Sequence, residues 1–132
     1  MSDIPADLHY SNDHLWVRVD ADAGLVRAGV TDFAQESLGD IVDVQPPRPG
    51  EKITAGEACG DIESTKSDSD LIAPVTGTVR AMNDDLARTP EVVNADPYGQ
   101  GWLFDVDIDP ATLTRQLASL LDAGAYGELT GG

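Results

Sequence analysis

The chain has 132 residues, enough for one domain with a real core and too few for a second full domain. Its 24 acidic and 8 basic residues give a formal net charge of −16, which excludes general binding to nucleic acid or anionic lipid. That charge favours encounters with proteins whose active sites are rimmed by positive charge, and solubility alone is an equal reading of it.

One cysteine, Cys59, cannot form an internal disulfide, and with only His9 and His14 beside it no metal-ligand spacing arises; a small core residue is expected. No basic leader precedes an apolar run, and no stretch nears the roughly 18 apolar residues of a membrane span. A soluble, cytoplasmic, monomeric chain with no membrane partner is the expectation.

In chain order, residues 14–19 (His-Leu-Trp-Val-Arg-Val) and 25–30 alternate or nearly so, with turn residues 21–24 between them, which predicts a hairpin. Residues 31–39 predict a helix of two turns, capped by Thr31 or Asp32 and stopped by Gly39. A strand over 41–45 follows, then a stiff proline-rich connection over 46–50. Residues 58–63 and 71–73 read as two strands around a polar tip at 64–68, and 74–77 break the run before a strand at 78–82. One helical turn at 84–88, a loop over 90–101 and a strand over 102–107 come next. Asp109 as cap, Pro110 at the first helical position and Leu113, Leu117, Leu120 and Leu121 on one stripe then predict a helix stopped at 123–124. The end, residues 124–132, reads as a frayed tail on a single domain spanning 1–132. Strands with a few covering helices make an α+β, mainly β chain.

Only two lysines occur, Lys52 and Lys66; the other six cations are arginines. An amide-linked prosthetic group needs a primary amine, which a guanidinium cannot replace. Lys66 lies in the polar tip, where a hairpin holds the backbone and leaves the side chain free. A tip lysine alone is far more often a solvated surface residue, so the surrounding residues must carry the argument.

Residues 60–79 (Gly-Asp-Ile-Glu-Ser-Thr-Lys-Ser-Asp-Ser-Asp-Leu-Ile-Ala-Pro-Val-Thr-Gly-Thr-Val) resemble the lipoylation signature of glycine cleavage H-proteins. A Glu-Ser-x-Lys tip precedes Ser-Asp and then a Pro-x-x-Gly turn. His14-x-Trp16-Val17, residues 29–35 (Gly-Val-Thr-Asp-Phe-Ala-Gln), 38–42 (Leu-Gly-Asp-Ile-Val), 93–102 (Val-Asn-x-Asp-Pro-Tyr-Gly-x-Gly-Trp) and 121–126 (Leu-Asp-Ala-x-Ala-Tyr) are similar to the family in order and spacing. The resemblance spans nearly the whole chain.

It implies a barrel-sandwich hybrid, the flattened β-barrel of lipoyl and biotinyl carriers, with a short helix in the N-terminal half and a C-terminal helix. It implies that Lys66 bears lipoate as an amide, that Glu63 and Gly77 help present the tip to a lipoyl- or octanoyl-attaching enzyme, and that Asp70 lies near the arm. Asp13, His14 and Ser37 match positions lining the cleft that receives the loaded arm. The implied role is a non-catalytic shuttle. It takes the aminomethyl group of glycine from a pyridoxal-phosphate glycine decarboxylase to an aminomethyltransferase, and a dihydrolipoyl dehydrogenase reoxidises the arm. Two departures stand out: Leu15 replaces the glutamate of the usual His-Glu-Trp, and Ser67-Asp68 adds negative charge beside the tip.

Biotinyl carriers flank their lysine with methionine, whereas Thr65 and Ser67 flank Lys66. Acyl-carrying lipoyl domains resemble only the central hairpin. An acid/base enzyme built on Asp105, Asp107 and Asp109 rests on a run of alternating aspartates that is usually a solvated face. A lipoate-relay homologue outside glycine cleavage stays open as the alternative function.

Overall fold

The computed structural model describes residues 3–20 and 22–131, where nine strands form two antiparallel sheets. In the order of pairing, the larger sheet holds β1 (His9–Tyr10), β2 (Leu15–Asp20), β3 (Leu25–Val30), β9 (Phe104–Asp107), β8 (Gly77–Met82) and β5 (Lys52–Ile53). The smaller holds β4 (Ile41–Gln45), β6 (Ala58–Ser64) and β7 (Asp68–Ile72), again in that order. One core cluster draws Val17, Val26, Val79 and Val106 from the larger sheet and Val44, Ile62 and Leu71 from the smaller. The two sheets therefore close on a shared interior as a flattened barrel-sandwich that is not continuous around its rim. Each such aliphatic side chain taken from water stabilises the fold by about 1.5–3 kcal/mol.

The β2–β3 hairpin forms as its alternation predicts, with Leu15 opposite Val30 and Val17 opposite Ala28. Of its turn, Ala21 lies outside the described residues, as do Met1, Ser2 and Gly132 of the span expected for the single domain. Helix α1 (Asp32–Leu38) starts at Thr31, whose hydroxyl accepts from the Ala34 N–H at 3.1 Å. It ends at Gly39, at φ 85° and ψ −156°, a backbone region that disfavours any side chain.

The short strands β1 and β5 have no counterpart in the sequence reading, and four further elements depart from it. Strand β7 begins at Asp68, not Leu71, because Glu63 pairs with Asp68 and Asp61 with Asp70, so pairing overrides the poor strand propensity of aspartate. Residues 92–95 form a short helix, α2 (Val92–Ala95), inside the expected loop. Helix α3 (Pro110–Ala118) stops short of Leu121; Leu113, Leu117 and Leu120 pack on the main core, while Leu121 turns away and exchanges backbone hydrogen bonds with Tyr10 at 2.8 and 2.7 Å.

The expected frayed tail is instead helix α4 (Ala123–Thr130), capped by Asp122 through the Ala125 N–H. Its anchor is Tyr126, fully buried and stacked on Tyr10 with ring centroids 4.7 Å apart. These two join Leu8 and Trp16 in a second core cluster. Gly29 lies under the Trp16 indole, where a Cβ would come within 2.6–2.7 Å of the ring. Cys59 is a partly buried packing residue whose thiol is pushed up to about 11, mainly by burial.

Candidate attachment site and its cleft

Between β6 and β7 only residues 65–67 remain outside the strands, so the tip is tighter than its polar text suggests. Ser64 sits buried at its base, and its hydroxyl is fully used. It accepts from the Lys66 and Ser67 N–H groups at 3.2 and 3.1 Å and donates to the Ser67 carbonyl at 3.1 Å. The Ser64 N–H closes the turn on the same carbonyl at 2.8 Å. A second brace comes from the loop after α1, where the Asp40 carbonyl accepts from the Thr65 N–H at 3.0 Å. Lys66 is thus exposed on a backbone held from two sides. Lys52, also exposed, lies within β5 opposite Thr78.

The stem of Lys66 crosses Gly39. A Cβ there would stand 2.8 Å from the lysine Cε and 3.4 Å from Nζ, so the missing side chain is what makes room for the stem. Asn94 of α2 fixes this shelf. Its Oδ1 accepts from the Ile41 N–H at 2.9 Å, and its Nδ2 donates to the Gly39 carbonyl and to Gln35 Oε1, both at 2.9 Å.

Glu63 and Asp70 point outward on the hairpin face beside the tip. Asp43, Glu63 and Asp68 face one another across three strands, and Gln45, Asp61 and Asp70 make the next row. Like charges directly opposite repel. Among the described residues none of these five carboxylates joins an ion pair; the pairs formed are Arg27 with Asp105, Arg80 with Asp107 and Arg88 with Asp85.

Asp13 and His14 lie together at a corner beside Phe33, at the other end of α1 from Gly39. The helix separates the two ends by about 10 Å. His14 stands at φ 68°, a left-handed conformation held by the Ser11 hydroxyl, which accepts from the Asp13 and Leu15 N–H groups at 3.3 and 3.2 Å. Its Nδ1 meets the Tyr126 hydroxyl at 2.8 Å, and that hydroxyl meets Thr31 Oγ1 at 2.7 Å. Burial holds the imidazole below its usual range, against a smaller upward pull from Asp13. Ser37 is exposed in the last turn of α1, on the lysine side.

Gly77 is not beside the tip. It begins β8 opposite Ile53, beyond the far end of β7, where the Thr76 hydroxyl accepts from Ala55 N–H at 3.0 Å and the Ala73 N–H bonds the Glu57 carbonyl. A Cβ on Gly77 would strike the Asp107 carbonyl and Val106, so close strand approach requires glycine there.

Four residues that shape the site are absent from the sequence-derived set: Ser64, Gly39, Asn94 and Tyr126. Each sits in a motif that carries the resemblance, yet Gly39 reads there only as a helix stop and Asn94 only as loop. Chemically, the site offers one presented primary amine, a side-chain-free shelf along its stem and a half-buried corner at the far end of a short helix. An amide-linked arm fits it. Among the described residues no group of three or more His, Cys, Asp or Glu could hold a metal ion.

The model of the family described as Glycine cleavage H-protein matches residues 8–131. The chain is 58% identical to the glycine cleavage system H protein of Mycobacterium avium, over 98% of this chain and 99% of that protein. To that of Mycobacterium bovis it is 55% identical, with the same coverage. A crystal structure of a glycine cleavage system H protein from Mycobacterium marinum superposes with a TM-score of 0.87 at 41% identity, covering 98% of this chain and 100% of that one.

Proposed function

The chain belongs to the Glycine cleavage H-protein family, the lipoyl shuttle of the glycine cleavage system, and on that premise we propose that Lys66 is the residue to which its lipoyl group is attached. The observation that carries this is the geometry of the tip: of two lysines, only Lys66 stands on a hairpin end whose backbone is braced by Ser64 and Asp40 while its amine stays exposed. The lipoyl group, when bound, supplies the sulfur and redox chemistry through its dithiolane.

This chain's own residues tether, orient and shelter. Ser64 and Asp40 hold the attachment point still, and Gly39 lets the lysine stem pass over the C-terminal end of α1. The neutral His14 corner with Phe33 and Asp13 offers a half-buried terminus where solvent is reduced. Glu63, Asp70 and their acidic neighbours present a negative face beside the tip. A partner of positive rim would approach there, with on-rate more than affinity gained from the charge. Gly77 serves attachment indirectly, by permitting the strand approach that closes the sheet behind the hairpin.

Tethering raises the local concentration of the arm in each partner's active site without a permanent complex. The partners are a pyridoxal-phosphate glycine decarboxylase, an aminomethyltransferase, a dihydrolipoyl dehydrogenase and a lipoyl- or octanoyl-attaching enzyme. The chain acts as one carrier domain with no catalytic residue of its own. No helix among the described residues is long and apolar enough to cross a membrane.

Intact-mass measurement of protein made with lipoate available tests the attachment. One lipoyl increment is expected on the wild type and none on Lys66→Arg, with glycine–bicarbonate exchange in the presence of the decarboxylase lost in parallel. An increment that survives Lys66→Arg overturns the assignment.

A further inference from the structure

We propose that Asn94 is a positioning residue for the prosthetic arm: it fixes the Gly39–Ile41 shelf and thereby holds the Lys66 stem across Gly39, at the C-terminal end of α1. The inference rests on Lys66 being the attachment point. Three observations meet in it.

The first is the path of the stem. Lys66 Cε occupies space that any residue other than glycine at position 39 would fill, so the direction in which the arm leaves the tip depends on the conformation of that one loop residue. The second is that Gly39, at φ 85° and ψ −156°, occupies one of several regions open to glycine alike, so its surroundings must select it. The third is what imposes it. Asn94 bonds the two peptides that flank Asp40, donating to the Gly39 carbonyl and accepting from the Ile41 N–H, while its second donor reaches Gln35 Oε1 on α1. Only an amide supplies one acceptor and two donors in this arrangement, and the backbone N–H of Ile41 settles which side-chain atom is oxygen. Helix α1 and the tip are thereby referred to one residue on α2. The Asp40 carbonyl that braces Thr65 lies inside the same clamped segment.

Aspartate at position 94 keeps the shape and the acceptor for Ile41 but sets a second oxygen against the Gly39 carbonyl and Gln35 Oε1. Asn83 provides an internal control of the same chemistry. It is buried where Asn94 is half-buried, with Nδ2 donating to the Gln100 and Trp102 carbonyls at 2.8 Å and Oδ1 accepting from the Asp85 N–H, but it clamps the 3₁₀ turn at Asp84–Ala87, away from the tip.

The test uses full-length Asn94→Asp and Asn83→Asp. In unmodified protein, nuclear Overhauser contacts between the Lys66 Hε and Gly39 Hα protons should be present in the wild type and in Asn83→Asp and lost in Asn94→Asp. In lipoyl-bearing, reduced protein, the arm thiols of Asn94→Asp should be alkylated by a limiting maleimide about twofold faster or more, the factor set by one net hydrogen bond at the low end of its range. Asn83→Asp should match the wild type. Should Asn94→Asp not fold, Gly39→Ala takes its place, since its Cβ displaces the stem directly and should abolish the same contacts. Retained Lys66–Gly39 contacts in the tip variant, or equal changes in Asn83→Asp, overturn the proposal. A wild type without a lipoyl increment overturns the attachment reading instead, and the contacts in unmodified protein still decide the role of Asn94.

Discussion

Replacing Ser64 with alanine removes the one side chain that organises the tip from within. Three hydrogen bonds disappear, but their lengths of 3.1–3.2 Å lie at the long end of the favourable range. The Lys66 and Ser67 N–H groups belong to exposed residues that water can reach once the hydroxyl is gone. The backbone bond from Ser64 N–H to the Ser67 carbonyl, at 2.8 Å, survives the change, as does the Thr65 bond to Asp40. With solvent as a substitute partner, the net loss is nearer one ordinary hydrogen bond than three, about 1 kcal/mol. Urea unfolding should show the midpoint lowered by that free energy divided by m, at unchanged m, and the amides of Lys66 and Ser67 should exchange with deuterium about five- to tenfold faster, with the rest of β6 and β7 unaffected. A stability loss above about 3 kcal/mol, or unchanged exchange at both amides, would refute the view of Ser64 as a local brace.

Gly29→Ala forces a methyl group to within 2.6–2.7 Å of the Trp16 ring in a fully buried site, so a loss of about 2–3 kcal/mol is expected from the denaturation midpoint. His14 is held below its usual range by burial, so the unfolded chain binds its proton first as pH falls. Its contribution to stability is fully present above about pH 6.5 and is lost as pH falls through the lower, folded value. His14→Asn, which tolerates the left-handed backbone, should flatten the stability profile between about pH 7 and pH 5; an unchanged slope there contradicts the assignment. Asp70→Asn relieves the direct opposition of Asp70 and Asp61 and should stabilise the protein by about 0.2–0.5 kcal/mol at low salt, a gain that shrinks as ionic strength rises.

The hairpin tip and the lysine on it were legible because a polar pentapeptide separates two extended runs, and periodicity exposes such a break. The first residues of β7 were not legible: Asp68, Ser69 and Asp70 are poor strand formers, and they extend only because β6 offers a ladder. Strands β1 and β5, two residues each, carry no periodicity at all. In α4, two glycines among eight residues argue for fraying, and what overrides them is tertiary, the stack of Tyr126 on Tyr10 and its hydroxyl bond to Thr31. At the site, residue identity pointed to Lys66, but the roles of Gly39 and Asn94 depend on contacts across 27 positions or more and emerge only when α1, α2 and the tip are brought together.

Strand β7 ends the smaller sheet, so one row of its backbone donors and acceptors has no neighbouring strand. An open row of that kind invites a second molecule to add on, and charged side chains along it are a common deterrent. Asp68 and Asp70, unfavourable for the strand they belong to, place two exposed negative charges of that kind along this edge. Exchanging both for valine would improve local strand propensity and turn an inert rim into a template for fibrous self-association.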